Sequence, residues 1–126
     1  MQQVSDYELE LMKTIWSKGG TALYAEIVEG LEQKGNGLTK NTILSLLSRL
    51  VEKGILQTSK TGRRNIYTAI VTEDGYRSHQ TQRFLDKVYE GNTKGLVSAL
   101  IAKDMLSKSD YDDLLKLWTG GDNADE

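Results

Sequence analysis

The stretch TKNTILSLLSRLVEKG at residues 39–54 runs directly into ILQTSKTGRRNIYTAI at residues 55–70. In the first half, apolar residues recur at positions 43, 46, 47 and 50, the spacing of one buried face of an α-helix. In the second half, two runs rich in β-branched and aromatic residues flank Gly62, a pattern typical of a β-hairpin. The change of period at Gly54 therefore predicts a helix followed at once by a hairpin.

The predicted helix begins with Thr39, a residue type favoured at the N-cap. Its side opposite the apolar positions is polar, and no aspartate or glutamate occurs between residues 38 and 51. A helix face that only meets water ordinarily mixes both signs of charge, so this composition indicates a ligand-binding face. The polar side chains are Asn41, Thr42, Ser45, Ser48 and Arg49.

Helices are predicted on both sides of this stretch. Ser5 and Glu8 have the spacing of a capping box and begin a first helix that Gly19 ends, and a second helix is expected over residues 21–34. Further helices are expected from Thr72, over residues 96–103, and from Ser107. Three helices and a hairpin in this order predict a mainly α fold with a small β-hairpin, namely a winged helix-turn-helix domain followed by helices.

The chain is expected to divide into a winged-helix domain at 1–72, a helical dimerisation domain at 73–118 and a disordered acidic tail at 119–126. The later helices carry apolar stripes but have few neighbours to cover them, so burial against a second chain is expected. Folding back onto the winged helix as a monomer stays open. The predicted interface residues are Phe84, Leu85, Val88, Leu96, Val97, Leu100, Ile101, Leu114, Leu115 and Trp118.

Charge is distributed unevenly along the 126 residues, whose net charge is −2. Residues 38–72 carry six basic side chains against the single acid Glu52, while the segments before and after are both acidic. Such asymmetry concentrates positive potential on one part of the molecule and favours a polyanionic partner.

The residue types on the third helix suit the reading of double-stranded DNA. Asparagine pairs bidentately with adenine, and serine or threonine hydroxyls bond base edges in the major groove. A helix N-terminus attracts phosphate, and basic side chains at a hairpin turn can follow the backbone. The predicted DNA-binding residues are Thr39, Asn41, Thr42, Ser45, Arg49, Lys60, Arg63 and Arg64.

An enzyme is not expected from this sequence. The single histidine, His79, lies in a polar helical stretch, and neither a phosphate-binding glycine loop nor a nucleophile–base pair is recognisable. With no cysteine there is no disulfide and no thiolate metal site. No cofactor or metal is expected, and the longest apolar run is too short to cross a bilayer, so the cytoplasm is the expected location.

The chain resembles the BlaI/MecI/CopY family of bacterial repressors over residues 3–118. The resemblance rests on the opening Ser5-x-x-Glu8-x-x-Leu11-Met12-x-x-Ile15-Trp16 and on Thr39-x-x-Thr42-Ile43-x-x-Leu46-x-x-Arg49-Leu50-x-x-Lys53-Gly54. Tyr67 in the second hairpin strand, Phe84-x-x-Lys87-Val88-Tyr89-x-Gly91, Gly95-Leu96-Val97 and Leu106-Ser107 also match.

This resemblance implies a homodimer that binds an inverted-repeat operator, often with TACA-like half-sites, upstream of resistance or export genes. It also implies base contacts from Asn41, Thr42 and Ser45, with Arg49 near the backbone. In the β-lactam branch a membrane sensor protease triggers cleavage, and the matching bond is Ala99–Leu100, where that branch typically has Asn-Phe. The copper branch releases DNA through cysteines that this chain lacks.

Two positions of the third helix depart from the family pattern. Members usually carry proline where Lys40 stands, and often a basic residue where Leu44 stands. The alternative function, a winged-helix adaptor that binds protein without sequence-specific DNA binding, stays open on the residues alone.

Overall fold

The computed structural model describes the backbone of residues 3–124 and the side chains of residues 3–119. It contains six helices and three short strands in this described part of the chain. They are α1 (Asp6–Ser17), β1 (Thr21–Leu23), α2 (Tyr24–Lys34), α3 (Lys40–Glu52), β2 (Leu56–Thr61), β3 (Arg64–Ala69), α4 (Glu73–Tyr89), α5 (Thr93–Ala102) and α6 (Lys108–Ala124).

The chain divides into two compact units, Met1–His79 and Gln80–Glu126. The first unit contains the three helices and the hairpin that the sequence predicts, which confirms the winged-helix fold. The predicted domain boundary at 72/73 coincides with the start of α4, whereas the two units divide within that helix.

The hairpin belongs to a three-stranded antiparallel sheet in the order β1-β3-β2. Sequence periodicity places residues 21–23 in the second helix, and this was wrong because Thr21 pairs with Thr68 and Leu23 pairs with Ile66. The amide of Ala69 also donates to the carbonyl of Gly20 at 2.8 Å. Pairing with β3 satisfies these backbone groups across more than forty residues of sequence, so local periodicity could not reveal it.

The core of the first unit is formed where the apolar faces of α1, α2 and α3 meet the sheet. All four apolar positions predicted for α3 are buried, and on the two preceding helices the apolar faces are buried except at Leu9 and Trp16, which are half-buried against the core. Fully buried side chains include Leu11, Met12, Ile15, Ile27, Leu31, Ile43, Leu47, Leu50, Ile55 and Leu56.

The helix α3 is fixed at both ends. At its start the Thr39 hydroxyl accepts a hydrogen bond from the amide of Thr42, as the predicted N-cap requires. At its end Gly54 adopts a left-handed conformation with φ of 74°, and the amide of Ile55 donates to the carbonyl of Leu50 at 3.1 Å. This glycine turn, at residues 53–55, is the short connection from the helix to β2.

A buried ion pair joins the start of α1 to the end of α3. The Glu8 carboxylate is 1% exposed, and its Oε1 lies 2.6 Å from Nζ of Lys53, the C-cap residue of α3. Burial alone raises the pKa of the Glu8 carboxyl, but hydrogen bonds from Lys53 and from Ser5 outweigh it and lower that pKa below its ordinary value. The Lys53 ammonium also donates to the carbonyl of Gln3 at 2.9 Å.

The first turn of α4 is anchored on the first unit. The Thr72 hydroxyl caps the helix by accepting from the amide of Gly75, as predicted. The indole of Trp16 donates to the carbonyl of Val71 at 2.9 Å, and its ring lies 5.7 Å from that of Tyr76. The first unit therefore extends beyond residue 72.

The second unit consists of the rest of α4 together with α5 and α6. Helix α5 begins three residues earlier than predicted because the side chain of Asn92 accepts a bond from the amide of Gly95 at 3.0 Å. Ser107 and Asp110 exchange the two hydrogen bonds of the predicted capping box at the start of α6.

The sequence predicts a disordered tail from residue 119. This is wrong for residues 119–124, because helix α6 continues to Ala124. The Thr119 hydroxyl donates to the carbonyl of Leu115 at 3.0 Å, and no proline removes an amide from the hydrogen-bond ladder. The remainder of the predicted tail, residues 125 and 126, lies outside the described residues.

Candidate nucleic-acid interface

The outer face of α3 presents most of the polar residues that the sequence singled out. We define the outward direction of α3 as the one opposite its four buried side chains. At about 100° per residue around the helix axis, Asn41 lies about 10° from this direction and Ser45 about 30°. Arg49 and Thr42 lie nearer the edges of this face, at about 70° and about 90°. All four side chains are exposed.

The N-terminal end of this face is ordered by two hydroxyl groups. Oγ1 of Thr39 and Oγ1 of Thr42 lie 2.9 Å apart, within hydrogen-bond distance. This contact joins the side chains of two predicted DNA contacts. The first helical residue, Lys40, is exposed beside them.

An acidic residue marks the other end of the face. Glu52 is exposed and lies about 10° from the outward direction, one turn beyond Ser48. A carboxylate repels phosphate, so the part of α3 suited to a nucleic acid is residues 39–49.

Five of the six basic side chains in residues 38–72 are exposed, and none of the five forms an ion pair within the described part of the chain. The sixth, Lys53, points inward to Glu8 and does not contribute to a binding surface. The positive charge available at the surface is therefore one less than the six basic residues of this segment indicate. The exposed basic residues are Lys40, Arg49, Lys60, Arg63 and Arg64.

The hairpin places its basic residues at and beside the turn. Thr61 pairs with Arg64, so Gly62 and Arg63 form a two-residue turn, with a φ of 63° at the glycine. Lys60 pairs with Asn65 one position further from the tip. Positive φ is nearly free of strain for glycine, which explains that residue at the turn.

The start of α2 connects the hairpin to the start of α3, and sequence reasoning missed it. Tyr24 and Ala25 line one surface depression together with Arg63 and Arg64, and a second together with Lys40. The two basic regions therefore border the same helix terminus. The missing signal was the true start of the helix, which the sequence placed three residues too early.

The first-turn amides of α2 receive no hydrogen bond from the side chain of the N-cap residue. Leu23, the N-cap residue of α2, has no side-chain oxygen and makes no side-chain capping bond. Its own amide donates to the Glu26 carboxylate at 2.8 Å. Uncapped first-turn amides and the neighbouring exposed arginines attract a phosphate group, and the Glu26 carboxylate at the same terminus opposes that attraction.

The second unit exposes the apolar side chains that the sequence assigned to an interface. Seven of the ten are exposed, with Trp118 at 74% and Val88 at 58%, while Leu85, Leu96 and Leu100 are half-buried. Three further apolar residues of this unit, Met105, Tyr111 and Leu117, are exposed at 70%, 52% and 72% and are not among the predicted interface residues. Met105 follows the end of α5, outside any periodic stripe, which explains its omission.

The bond between Ala99 and Leu100 lies inside α5, and both residues are half-buried. The carbonyl of Ala99 accepts from the amide of Lys103, and the carbonyl of Leu100 accepts from the amide of Met105. A protease binds its substrate in an extended conformation, so attack at this bond requires α5 to unwind locally.

The described residues contain neither a cluster of metal-ligating side chains nor a membrane-spanning helix. The described residues contain no group of three or more histidine, cysteine, aspartate or glutamate side chains able to hold a metal ion. Within residues 3–124, no helix has the length and apolar character needed to cross a membrane.

The exposed polar face of α3, the basic hairpin and the core arrangement together define a winged-helix DNA-binding domain. The comparisons with known proteins then identify the family. A family model described as Penicillinase repressor matches residues 4–120, and the chain belongs to this family. Its members are transcriptional repressors and not enzymes.

Individual relatives agree with this assignment. The chain is 33% identical to the penicillinase repressor of Bacillus licheniformis, over 91% of this chain and 88% of that protein. It is 30% identical to the methicillin resistance regulatory protein MecI of Staphylococcus aureus (strain N315), over 89% of both.

A solved structure confirms the fold of the first unit. The structure of BlaI from Bacillus licheniformis as a monomer in complex with the blaP half-operator is 37% identical to this chain. It covers 60% of this chain and 89% of its own, with a TM-score of 0.51.

Proposed function

We propose that this chain is a homodimeric transcriptional repressor that binds an inverted-repeat operator through α3. The observation that carries the proposal is the exposed polar face of residues 39–49, free of acidic side chains and bordered by exposed basic residues. Base contacts are assigned to Asn41, Thr42 and Ser45, which lie in the first two turns, where recognition helices approach base edges. Arg49 is assigned to the DNA backbone or a guanine.

Phosphate contacts are assigned to three regions around this face. Thr39 and Lys40 lie at the start of α3, and the uncapped amides of α2 lie next to the hairpin arginines. Lys60, Arg63 and Arg64 extend the contacts along the backbone. Such contacts set the register of the protein on the duplex without reading sequence.

The dimer is assigned to the apolar side chains of the second unit. Exposed side chains such as Trp118, Leu115 and Ile101 are costly in water, and burial against the same surface of a second chain removes them from it. Such an isologous interface produces twofold symmetry. A twofold-symmetric dimer matches an operator made of two inverted half-sites.

The proposed regulated genes and release mechanism are those that membership of the family suggests. We assign the chain to the control of β-lactam resistance or related genes, with a membrane sensor protease as partner and cleavage between Ala99 and Leu100 as the release step. Because these residues lie within α5, cleavage depends on local unwinding of that helix. Finding a sensor protease and a β-lactamase in neighbouring genes would assign the branch.

Replacement of the assigned base-contacting side chains tests the recognition helix. Thr42→Ala and Arg49→Ala are each expected to weaken operator binding by about 1–3 kcal/mol where a base contact is lost. The measurement is a fluorescence-anisotropy titration of full-length protein on labelled operator at one fixed salt concentration. Both side chains are exposed, so the folded structure is expected to persist.

A hairpin variant provides the contrast for this experiment. Replacing Lys60, Arg63 and Arg64 with alanine is expected to weaken specific and non-specific duplexes alike and to reduce the slope of log affinity against log salt. If both α3 variants bound the operator with normal affinity, the recognition-helix assignment would be wrong. A protein-binding adaptor would show no salt-dependent DNA affinity in any of these proteins.

A further inference from the structure

Among the described residues, Leu44 is the one large apolar side chain of α3 that is exposed. Its exposed fraction is 40%. The remaining exposed side chains of this helix are polar or charged. Because a leucine on a face that reads polar base edges makes no hydrogen bond, it needs an explanation of its own.

The position of Leu44 places it within the reading face. It lies about 70° from the outward direction, the same angular distance as Arg49 on the other side and closer than Thr42. It follows Asn41 by three residues and precedes Ser48 by four, so these side chains are neighbours on the helix surface. Leu44 therefore faces the groove beside Asn41 when this side of α3 binds DNA.

Only one chemical group in the major groove is apolar. Adenine, guanine and cytosine present hydrogen-bonding atoms there, whereas thymine also presents its C5-methyl group. We propose that Leu44 reads a thymine of the operator half-site by packing against this methyl group. The proposal rests on the proposed function and adds to it one base that the half-site must contain.

The neighbourhood of Leu44 also indicates which base pair this is. Helical side chains point towards the N-terminus, so Leu44 covers the surface over the turn that contains Asn41. The thymine is therefore expected directly beside the base pair that Asn41 contacts.

Leu44 and the apolar residues assigned to the dimer belong to different units of the chain. That surface belongs to the second unit, whereas Leu44 belongs to the first. The other large exposed apolar residues of the first unit, Tyr7 and Ile70, lie outside α3. Leu44 is thus the apolar residue whose exposed side chain coincides with the polar DNA face.

The test uses a methyl deletion in the DNA. Full-length protein first selects a preferred sequence from a random-sequence duplex library, and synthetic copies of that duplex then carry deoxyuridine in place of each thymine in turn. At one thymine per half-site, removal of the methyl group is expected to weaken wild-type binding about fourfold, the equivalent of one buried methylene. When the methyl group is removed from this thymine in both half-sites, the expected loss of affinity is about 15-fold.

The Leu44→Ala variant completes the test. It is expected to bind the unmodified duplex more weakly and to lose the response to deoxyuridine at that thymine, because its methyl contact is already gone. Ile70→Ala, which truncates an exposed apolar side chain outside α3, is the matched control and should respond as the wild type does. Thermal unfolding of both variants checks that the fold is retained.

The outcomes are distinct. If the wild-type protein selects a sequence but tolerates deoxyuridine at every position, the Leu44 inference is wrong and the proposed function stands. It is equally wrong if Leu44→Ala keeps the wild-type response. If the protein selects no sequence at all, the proposed function itself fails.

Discussion

Ending the chain at His79 is expected to lower affinity for the complete operator by about 10²- to 10⁴-fold. The first unit keeps α3, the hairpin and the start of α4, so binding to a single half-site should be retained. What is lost is the link that makes binding of the second half-site intramolecular. Sedimentation should show a monomer, and titrations on full and half operators should give nearly equal affinities.

A full-length variant provides the control for this truncation. Leu115→Asp with Trp118→Asp places two charges in the apolar surface of α6, where both side chains are exposed in the single chain. The variant should be monomeric with the same weak operator affinity as the truncated protein. A truncated protein that remained dimeric would show that the interface lies in the first unit and would contradict the assignment.

Replacing Lys53 with alanine is expected to reduce the free energy of unfolding by about 3–5 kcal/mol. The change leaves the Glu8 carboxylate buried without its cation, and Oε2 of that carboxylate already has no hydrogen-bond partner within the described structure. The Lys53 side chain is 24% exposed, which favours the lower end of this range. Urea denaturation should show a lower midpoint with an unchanged slope.

The partner variant separates this structural role from DNA binding. Lys53→Met combined with Glu8→Gln removes both charges. The double variant should lose less free energy of unfolding than the two single variants lose in sum. If Lys53→Ala instead left stability unchanged and weakened DNA binding, Lys53 would be a phosphate contact and the inward ion pair would be wrong.

The same ion pair gives the stability a pH dependence. Folding lowers the pKa of Glu8 below its ordinary value of 4.5. The ionised carboxylate therefore makes its full contribution to the free energy of unfolding above pH 4.5. The contribution is lost as the pH falls through the lower pKa of the folded state. Wild-type protein should therefore lose more stability than Glu8→Gln as the pH is lowered from 4.5.

The sequence predicts the parts of the fold that depend on local pattern. Four apolar positions of α3, the Thr39 cap and the hairpin around Gly62 are all recognisable from spacing and residue type. Each of these depends on neighbours within a few residues, where helical and strand periodicity are reliable guides. The polar face of α3 follows directly, because it is the side left over once the core positions are known.

The missed features depend on contacts between distant parts of the chain. The strand β1 exists because Thr21 meets Thr68, and Lys53 leaves the basic surface because it meets Glu8. Tyr24 and Ala25 share a surface depression with the hairpin arginines only because the hairpin folds next to them. In each case the residue type fits its local segment equally well without the contact, so the sequence carries no sign of it.

The central claim is that this chain reads a specific DNA sequence through α3. Its most direct test is selection from a random-sequence duplex library by full-length wild-type protein, compared with selection by Asn41→Ala. The account predicts an inverted repeat with half-site centres about 10 base pairs apart, or a multiple of that spacing, and loss of preference at one base pair per half-site in the variant. Enrichment without any common sequence, or the same repeat at full strength from Asn41→Ala, would contradict it.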